Sequence, residues 1–270
     1  VAVVLAIFLL LRRWDRGVAI AAAALFAAWP GSHEAVPWIS ARCGPMALGA
    51  TIAAVIAAQG RRPGWTAAWA MVALLSKETA FVVAPLVTAF ALCRPGDRRD
   101  ALRQAAPAWA AFALYLGLRW RMLGELGGGY AVHDVSIFST TLWPGRWETL
   151  RSLLGPLKAF AVGDGLQGAF AATTAGLLLA GLPRIARRRP DLRWLLLATT
   201  LWFLGAWVPM HDLTVFRHVQ PDARFLYEPA APLCVLLALA GAGLVHGLPR
   251  AVGPAVLGVS IVLFGACYRL

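Results

Sequence analysis

Long apolar runs broken by short polar clusters set the pattern of this chain. Apolar segments cover about 1–11, 18–30, 44–60, 65–75, 80–93, 106–122, 165–182, 194–210, 229–246 and 251–268, and several approach the roughly 20 residues that a helix needs to cross a bilayer. The pattern predicts an all-α fold: a polytopic transmembrane bundle of about ten apolar segments, forming a single domain over 1–270. A stretch at about 123–164 is too polar to span and is expected to form an external loop, with Trp143 and Trp147 able to hold part of it on the membrane surface. Segments 65–75 and 80–93 are short and are split by Ser76-Lys77-Glu78-Thr79. That split predicts a helical hairpin whose polar turn sits within the membrane depth and needs partners there.

Composition strengthens this picture. Hydrophobic residues make up 60% of the chain and charged residues 14%, with a mean hydropathy of +0.67, so the chain carries more apolar surface than one soluble core can hide. A net charge of +12 raises nucleic acid as a partner, but the Lys and Arg interrupt apolar runs in short clusters instead of lining one wet face, and nucleic acid is excluded. The run Val1 to Leu11 opens without an initiator Met, and Tyr268-Arg269-Leu270 follow directly on another apolar run, which predicts a fragment of a longer chain. Cys43, Cys93, Cys234 and Cys267 are far apart and lack the paired spacing of a zinc or redox site, so they read as small packing residues.

Charge then fixes an orientation. If 65–93 crosses twice, Arg12, Arg13, Arg16, Arg61, Arg62, Arg94, Arg98, Arg99, Arg103, Arg184, Arg187, Arg188, Arg189, Arg193 and Arg250 all fall on one side. That side holds 15 basic and 4 acidic residues and the other 10 basic and 9 acidic, so the positive-inside rule makes the first side cytoplasmic. The expected localisation is the plasma (inner) membrane of a bacterium, with the active face extracytoplasmic.

Three polar stretches on that outer face carry the candidate chemistry. The first, Pro30 to Arg42, contains His33, Glu34 and Arg42, where Glu34 could accept a proton or orient a sugar hydroxyl and Arg42 could pair with it or with a phosphate. The second is Ser76-Lys77-Glu78-Thr79, whose ionisable pair is costly in a membrane and demands compensation. Its bland explanation is a mutual Lys77–Glu78 pair, although adjacent helical residues do not face each other, or a shallow, hydrated turn. The third runs from His211-Asp212 through Arg217, His218, Asp222, Arg224 and Tyr227 to Glu228, with guanidinium forks suited to phosphate and a tyrosine suited to a sugar. No His, Glu or Asp spacing is diagnostic of a metal, so no metal site and no cofactor is firmly implied, a divalent ion lacking support. Gly127-Gly128-Gly129 lacks the Lys and Ser or Thr of a phosphate loop and suits a flexible loop.

Taken in order, Pro30 to Arg42, Leu75-Ser76-Lys77-Glu78-Thr79 and Arg224-Phe225-Leu226-Tyr227-Glu228-Pro229 resemble the GT-C class of polytopic membrane glycosyltransferases, in particular the protein O-mannosyltransferase-like and transmembrane tetratricopeptide O-mannosyltransferase relatives. The resemblance implies transfer of a sugar from a polyprenyl-phosphate donor to a hydroxyl of a protein or glycan acceptor on the extracytoplasmic side, with membrane lipid as a further partner. It also implies an acidic base in the first external loop, which here would precede Val1. On this view Glu34, Lys77 and Glu78 are the catalytic candidates, and His33, Arg42, Arg217, Asp222, Arg224 and Tyr227 bind substrate or phosphate. The lipid phosphate would dock on Arg224 with Lys77 as a second cation, Glu34 and Glu78 would position the sugar or Lys77, and Asp222 would orient Arg224. Two other classes compete: a transporter or lipid flippase, which would place its charges near the midplane between repeats, and a non-catalytic assembly subunit.

Overall fold

The computed structural model describes residues 1–29, 42–93, 96–124, 143–155, 164–208, 226–245 and 258, without the side chains of 143–146 and 164. Every regular element among the described residues is helical. In chain order the α-helices are α1 (Ala2–Leu11), α2 (Arg16–Ala27), α3 (Cys43–Gln59), α4 (Pro63–Ser76), α5 (Val83–Leu92), α6 (Arg98–Leu123), α7 (Trp143–Leu154), α8 (Asp164–Arg188), α9 (Arg193–Trp207) and α10 (Tyr227–Val245). Two 3-10 turns, Glu78–Val82 and Pro190–Leu192, lead into α5 and α9.

Local chemistry explains where several of these helices start and stop. The Asp15 carboxylate accepts from the Val18 backbone N–H at 3.0 Å and caps α2, and Asp97 accepts from Arg99 N–H to cap α6. Pro63 stands at the start of α4, where its missing N–H costs nothing. Gly124, left-handed at φ 74°, ends α6. Within the helices, the hydroxyls of Thr66, Thr88, Thr174 and Thr199 each donate to the carbonyl four residues back, so they add no unpaired donor to an apolar interior.

Three contacts between distant segments define one end of the bundle. Arg61 Nη2 lies 2.6 Å from Asp100 Oδ2, so the chain that departs along α4 has returned by the start of α6, and the hairpin expected from the split apolar run is present. Arg189 Nη1 reaches Asp15 Oδ2 at 3.1 Å, and the Cys93 thiol donates to the Trp194 carbonyl at 2.9 Å. Together they draw the turns near 12–16, 60–62, 96–100 and 188–194 to a common end, where the basic clusters collect.

Helix lengths give fewer spans than the apolar segments suggest. Among the described residues, Gly165–Arg188 and Tyr227–Val245 are long and apolar enough to cross a membrane, while Ala2–Leu11, Arg16–Ala27, Cys43–Gln59 and Glu78–Leu92 are apolar but shorter. The last predicted segment, 251–268, lies outside the described residues apart from Gly258. The expected external loop at 123–164 contains a helix of its own, α7, whose carboxyl end packs on α8 through a Gln167 side-chain N–H donating to the Gly155 carbonyl at 3.4 Å.

The two long helices occupy different surroundings. Of the apolar window of Tyr227–Val245, 72% is buried, and the helix packs against α2, α8 and α9, whereas only 17% of the apolar window of Gly165–Arg188 is buried. They meet through glycine. A Cβ on Gly181 would lie 2.6 Å from Ala240 Cα, and one on Gly243 would lie 2.8 Å from Ile185 N, so backbones touch where side chains would otherwise intervene.

Candidate functional site

The end of the bundle opposite the basic turns is organised around Lys77. Helix α4 stops at Ser76, whose hydroxyl donates to the Val72 carbonyl at 2.6 Å. Lys77 is extended, at φ −163° and ψ 141°, and the chain resumes at once as the 3-10 turn beginning with Glu78. This single extended residue between two helical pieces turns the Lys77 side chain inward, while adjacent Glu78 remains exposed. Lys77 Nζ donates to Glu228 Oε1 at 2.9 Å, with 15% and 9% of the two side chains exposed. The mutual Lys77–Glu78 pair considered from the sequence is therefore replaced by a pair that joins residues 151 positions apart.

Glu228 owes its position to α10. It lies in the first turn of that helix, next to Tyr227, which packs edge to face on Phe26 of α2 with ring centroids 5.0 Å apart. The start of α3 completes the arrangement: a Cβ on Gly44 would stand 3.5 Å from Glu228 Oε1 and 3.8 Å from Lys77 Nζ. The carboxylate thus sits beside one helix N-terminus and within the first turn of another, where partial positive charge from unpaired backbone N–H groups favours an anion. Burying two charges is expensive, and only a close pair with further polar support recovers the cost.

A small cavity adjoins the pair. It is lined by Ala47, Leu48, Thr51, Thr79, Ala80, Val82, Trp202, Ala206 and Glu228, with about 10 Å³ of room for the centre of a water molecule, near the lower limit for holding one water. Thr79 Oγ1 on its wall is buried and has no hydrogen-bond partner among the described residues. Trp207 Nε1, in the last turn of α9, is in the same condition.

Of the residues singled out by sequence, Lys77 reaches Glu228 directly, while Tyr227 precedes Glu228 in the first turn of α10 and is buried against Phe26. Arg42 immediately precedes α3 at this end and is exposed, and Glu78 is exposed on the 3-10 turn. His33, Glu34, Arg217, Asp222 and Arg224 lie outside the described residues. The described residues that flank 30–41 and 209–225 do belong to this end: Phe26 against Tyr227, Gly44 against the ion pair, and Ala206 and Trp202 in the cavity wall. Sequence reasoning passed over Glu228 as a partner and Gly44 as its neighbour. One signal was available, since a lysine at the break of an apolar hairpin and a glutamate opening an apolar helix carry opposite charges that each need a partner.

The described residues hold no group of three or more His, Cys, Asp or Glu side chains able to bind a metal. Cys43, Cys93 and Cys234 form no disulfide, and the latter two are buried. No protein-family model, characterised protein or solved structure matches this chain.

Proposed function

We propose that this chain is a membrane-embedded glycosyltransferase that takes a sugar from a polyprenyl-phosphate carrier and passes it to a hydroxyl acceptor. The observation that carries this function is the buried Lys77–Glu228 pair at a helix break, at the end of the bundle where Arg42 and Tyr227 also sit and where the segments containing Glu34 and Arg224 attach. A membrane setting is supported by the apolar side chains left exposed along the outer helices, among them Trp65, Leu75, Leu179 and Leu201; exposed apolar surface on this scale is unusual in a soluble monomer. The two long apolar helices agree with it.

In this mechanism the chain's main contribution is to the leaving group. As the bond from the sugar to the phosphate oxygen lengthens, negative charge grows on the phosphate, and fixed cationic donors in a site shielded from water stabilise it more than they stabilise the ground state. Arg224 and Lys77 are the proposed donors, Asp222 orients the first, and Glu228 occupies the place beside Lys77 that Glu78 was expected to fill. Tyr227 and Arg42 bound the sugar and phosphate side, and Glu34 takes the acceptor proton or orients a sugar hydroxyl. Orientation follows from the basic end being cytoplasmic, which turns this end outward.

The test is transfer from a polyprenyl-phosphate hexose by the full-length protein in detergent or proteoliposomes. Arg224→Ala and Lys77→Ala are expected to lower turnover by about a hundredfold each, on the scale of losing one charge-stabilising donor. Wild-type turnover in both variants would remove the proposed site.

A further inference from the structure

We infer that Glu228 is a positioning residue that acts through Lys77, holding its ammonium in place for an anionic phosphate group, an assignment that rests on the glycosyl-transfer function above. Three features of the geometry point to it. Lys77 is attached at an extended residue between α4 and a 3-10 turn, so its own backbone offers no continuous helix to fix the side chain. Its long stem carries several rotatable bonds, and freezing them at the moment of binding would cost affinity. Glu228 removes that freedom in advance with a 2.9 Å charge-assisted bond from the wall of the bundle. An ammonium is a three-donor group, and one of its donors is directed at Glu228 Oε1.

The cavity beside the carboxylate offers a place for further polar support of the pair. Thr79 Oγ1, buried on the cavity wall without a partner among the described residues, and Glu228 both line a space of about 10 Å³. One water there would connect the hydroxyl to the carboxylate and supply the polar support a buried pair requires. Glu78, one residue from Lys77, is exposed on its side of the turn.

The experiment is a double-mutant cycle on the full-length enzyme, with donor KM and kcat measured for a polyprenyl-phosphate hexose and with binding of the sugar-free polyprenyl monophosphate measured in parallel. Lys77→Met and Glu228→Leu are each expected to raise donor KM about tenfold or more, the scale of a hydrogen bond to a charged group. The double variant should be no worse in KM than Lys77→Met alone, because a residue that acts only through Lys77 has nothing left to position. A merely structural Glu228 would lower the amount of folded enzyme and leave the KM of the folded fraction unchanged. Should Glu228→Leu fail to fold, the near-isosteric Glu228→Gln takes its place, with KM raised about threefold because a neutral amide oxygen accepts from an ammonium less strongly. Unchanged KM in the single Glu228 variant, or Glu228 and Lys77 effects that multiply, overturns the inference while leaving the function standing. A wild-type protein that neither transfers the sugar nor binds the monophosphate overturns the function and the inference with it.

Discussion

Both ends of the bundle are tied by ion pairs between segments far apart in sequence, yet the pairs are built differently. At the basic end, Arg61 and Asp100 meet with 71% and 41% of their side chains exposed, and Arg189 bridges Asp15 and Asp191 from a partly exposed position. At the other end, Lys77 and Glu228 are almost enclosed. Water and counterions screen the first set, so each such pair is worth about 0–1 kcal/mol. The second is set in an apolar interior, where removing one partner is costly. The same chemistry thus acts as a loose fastening at one end and as a fixed element at the other, and ligand chemistry is best placed where charges are already fixed.

The largest expected effect comes from breaking the enclosed pair on one side only. Lys77→Ala or Glu228→Leu should each lower stability by about 3–5 kcal/mol, the cost of an uncompensated buried charge. Lys77→Met combined with Glu228→Leu removes both charges and should return most of that stability. Thermal melting of the detergent-solubilised protein checks this; a single variant as stable as wild type would show that the pair is hydrated like those at the basic end.

Much of this contrast was legible before any coordinates. The apolar runs located most of the helices, with 44–60 becoming Cys43–Gln59 and 229–246 becoming Tyr227–Val245, because a stripe wide enough to bury or to face lipid has to be continuous; α6 begins well ahead of its run, at Arg98, and α8 continues well past its run, to Arg188, because those helix ends are charged. Basic clusters announced a common end because Lys and Arg cannot be placed in apolar runs without cost. The partner of Lys77 was not legible, since it depends on how α3, α4 and α10 converge, and sequence neighbours pointed to Glu78 instead. Helix α7 was missed for a related reason: Trp143 to Leu154 is short and nearly neutral in hydropathy, so its amphipathic spacing was lost in the polar stretch around it.

A second effect concerns the helix on which Glu228 is mounted. Gly181→Val would force a side chain against the Ala240 backbone, with the added Cβ 2.6 Å from Ala240 Cα. Backbone cannot yield as a flexible side chain does, so α8 and α10 must separate, at a cost of about 1–3 kcal/mol or more. Because α10 also carries Glu228, the variant should lose donor affinity along with stability, while Gly176→Val, with no atom within 4 Å of its added Cβ, should lose neither. Melting curves and donor KM for both variants distinguish this from a general intolerance of β-branched residues in α8.

A smaller effect is expected at Arg189. Its hydrogen bond to Asp191 holds that carboxyl below its ordinary value of 3.8, with the opposing push from burial too weak to cancel it. A carboxyl lowered in the folded state stabilises fully above its unfolded value and loses that contribution as the pH falls through the lower folded value. The melting temperature of wild type should therefore exceed that of Asp191→Asn by a degree or so at neutral pH, and the two curves should converge on acidification below about 4. Curves that stay parallel would place the effect in packing instead of charge.

The smallest effect has a sign that separates the two ends most cleanly. Arg61 sits in the turn between α3 and α4 at φ 55°, a left-handed conformation that a residue with a Cβ adopts at a cost of about 1 kcal/mol. Arg61→Ala keeps that strain and gives up the exposed bond to Asp100, so it should be neutral to slightly destabilising. Arg61→Gly gives up the same bond but relieves the strain, so it should match or exceed wild type in melting temperature. A screened pair is small enough for a backbone term to outweigh it. No comparable exchange is open at Lys77, whose extended backbone is unstrained and whose charge is enclosed: Lys77→Gly should be among the least stable single variants, and finding it level with Arg61→Gly would erase the distinction between the ends.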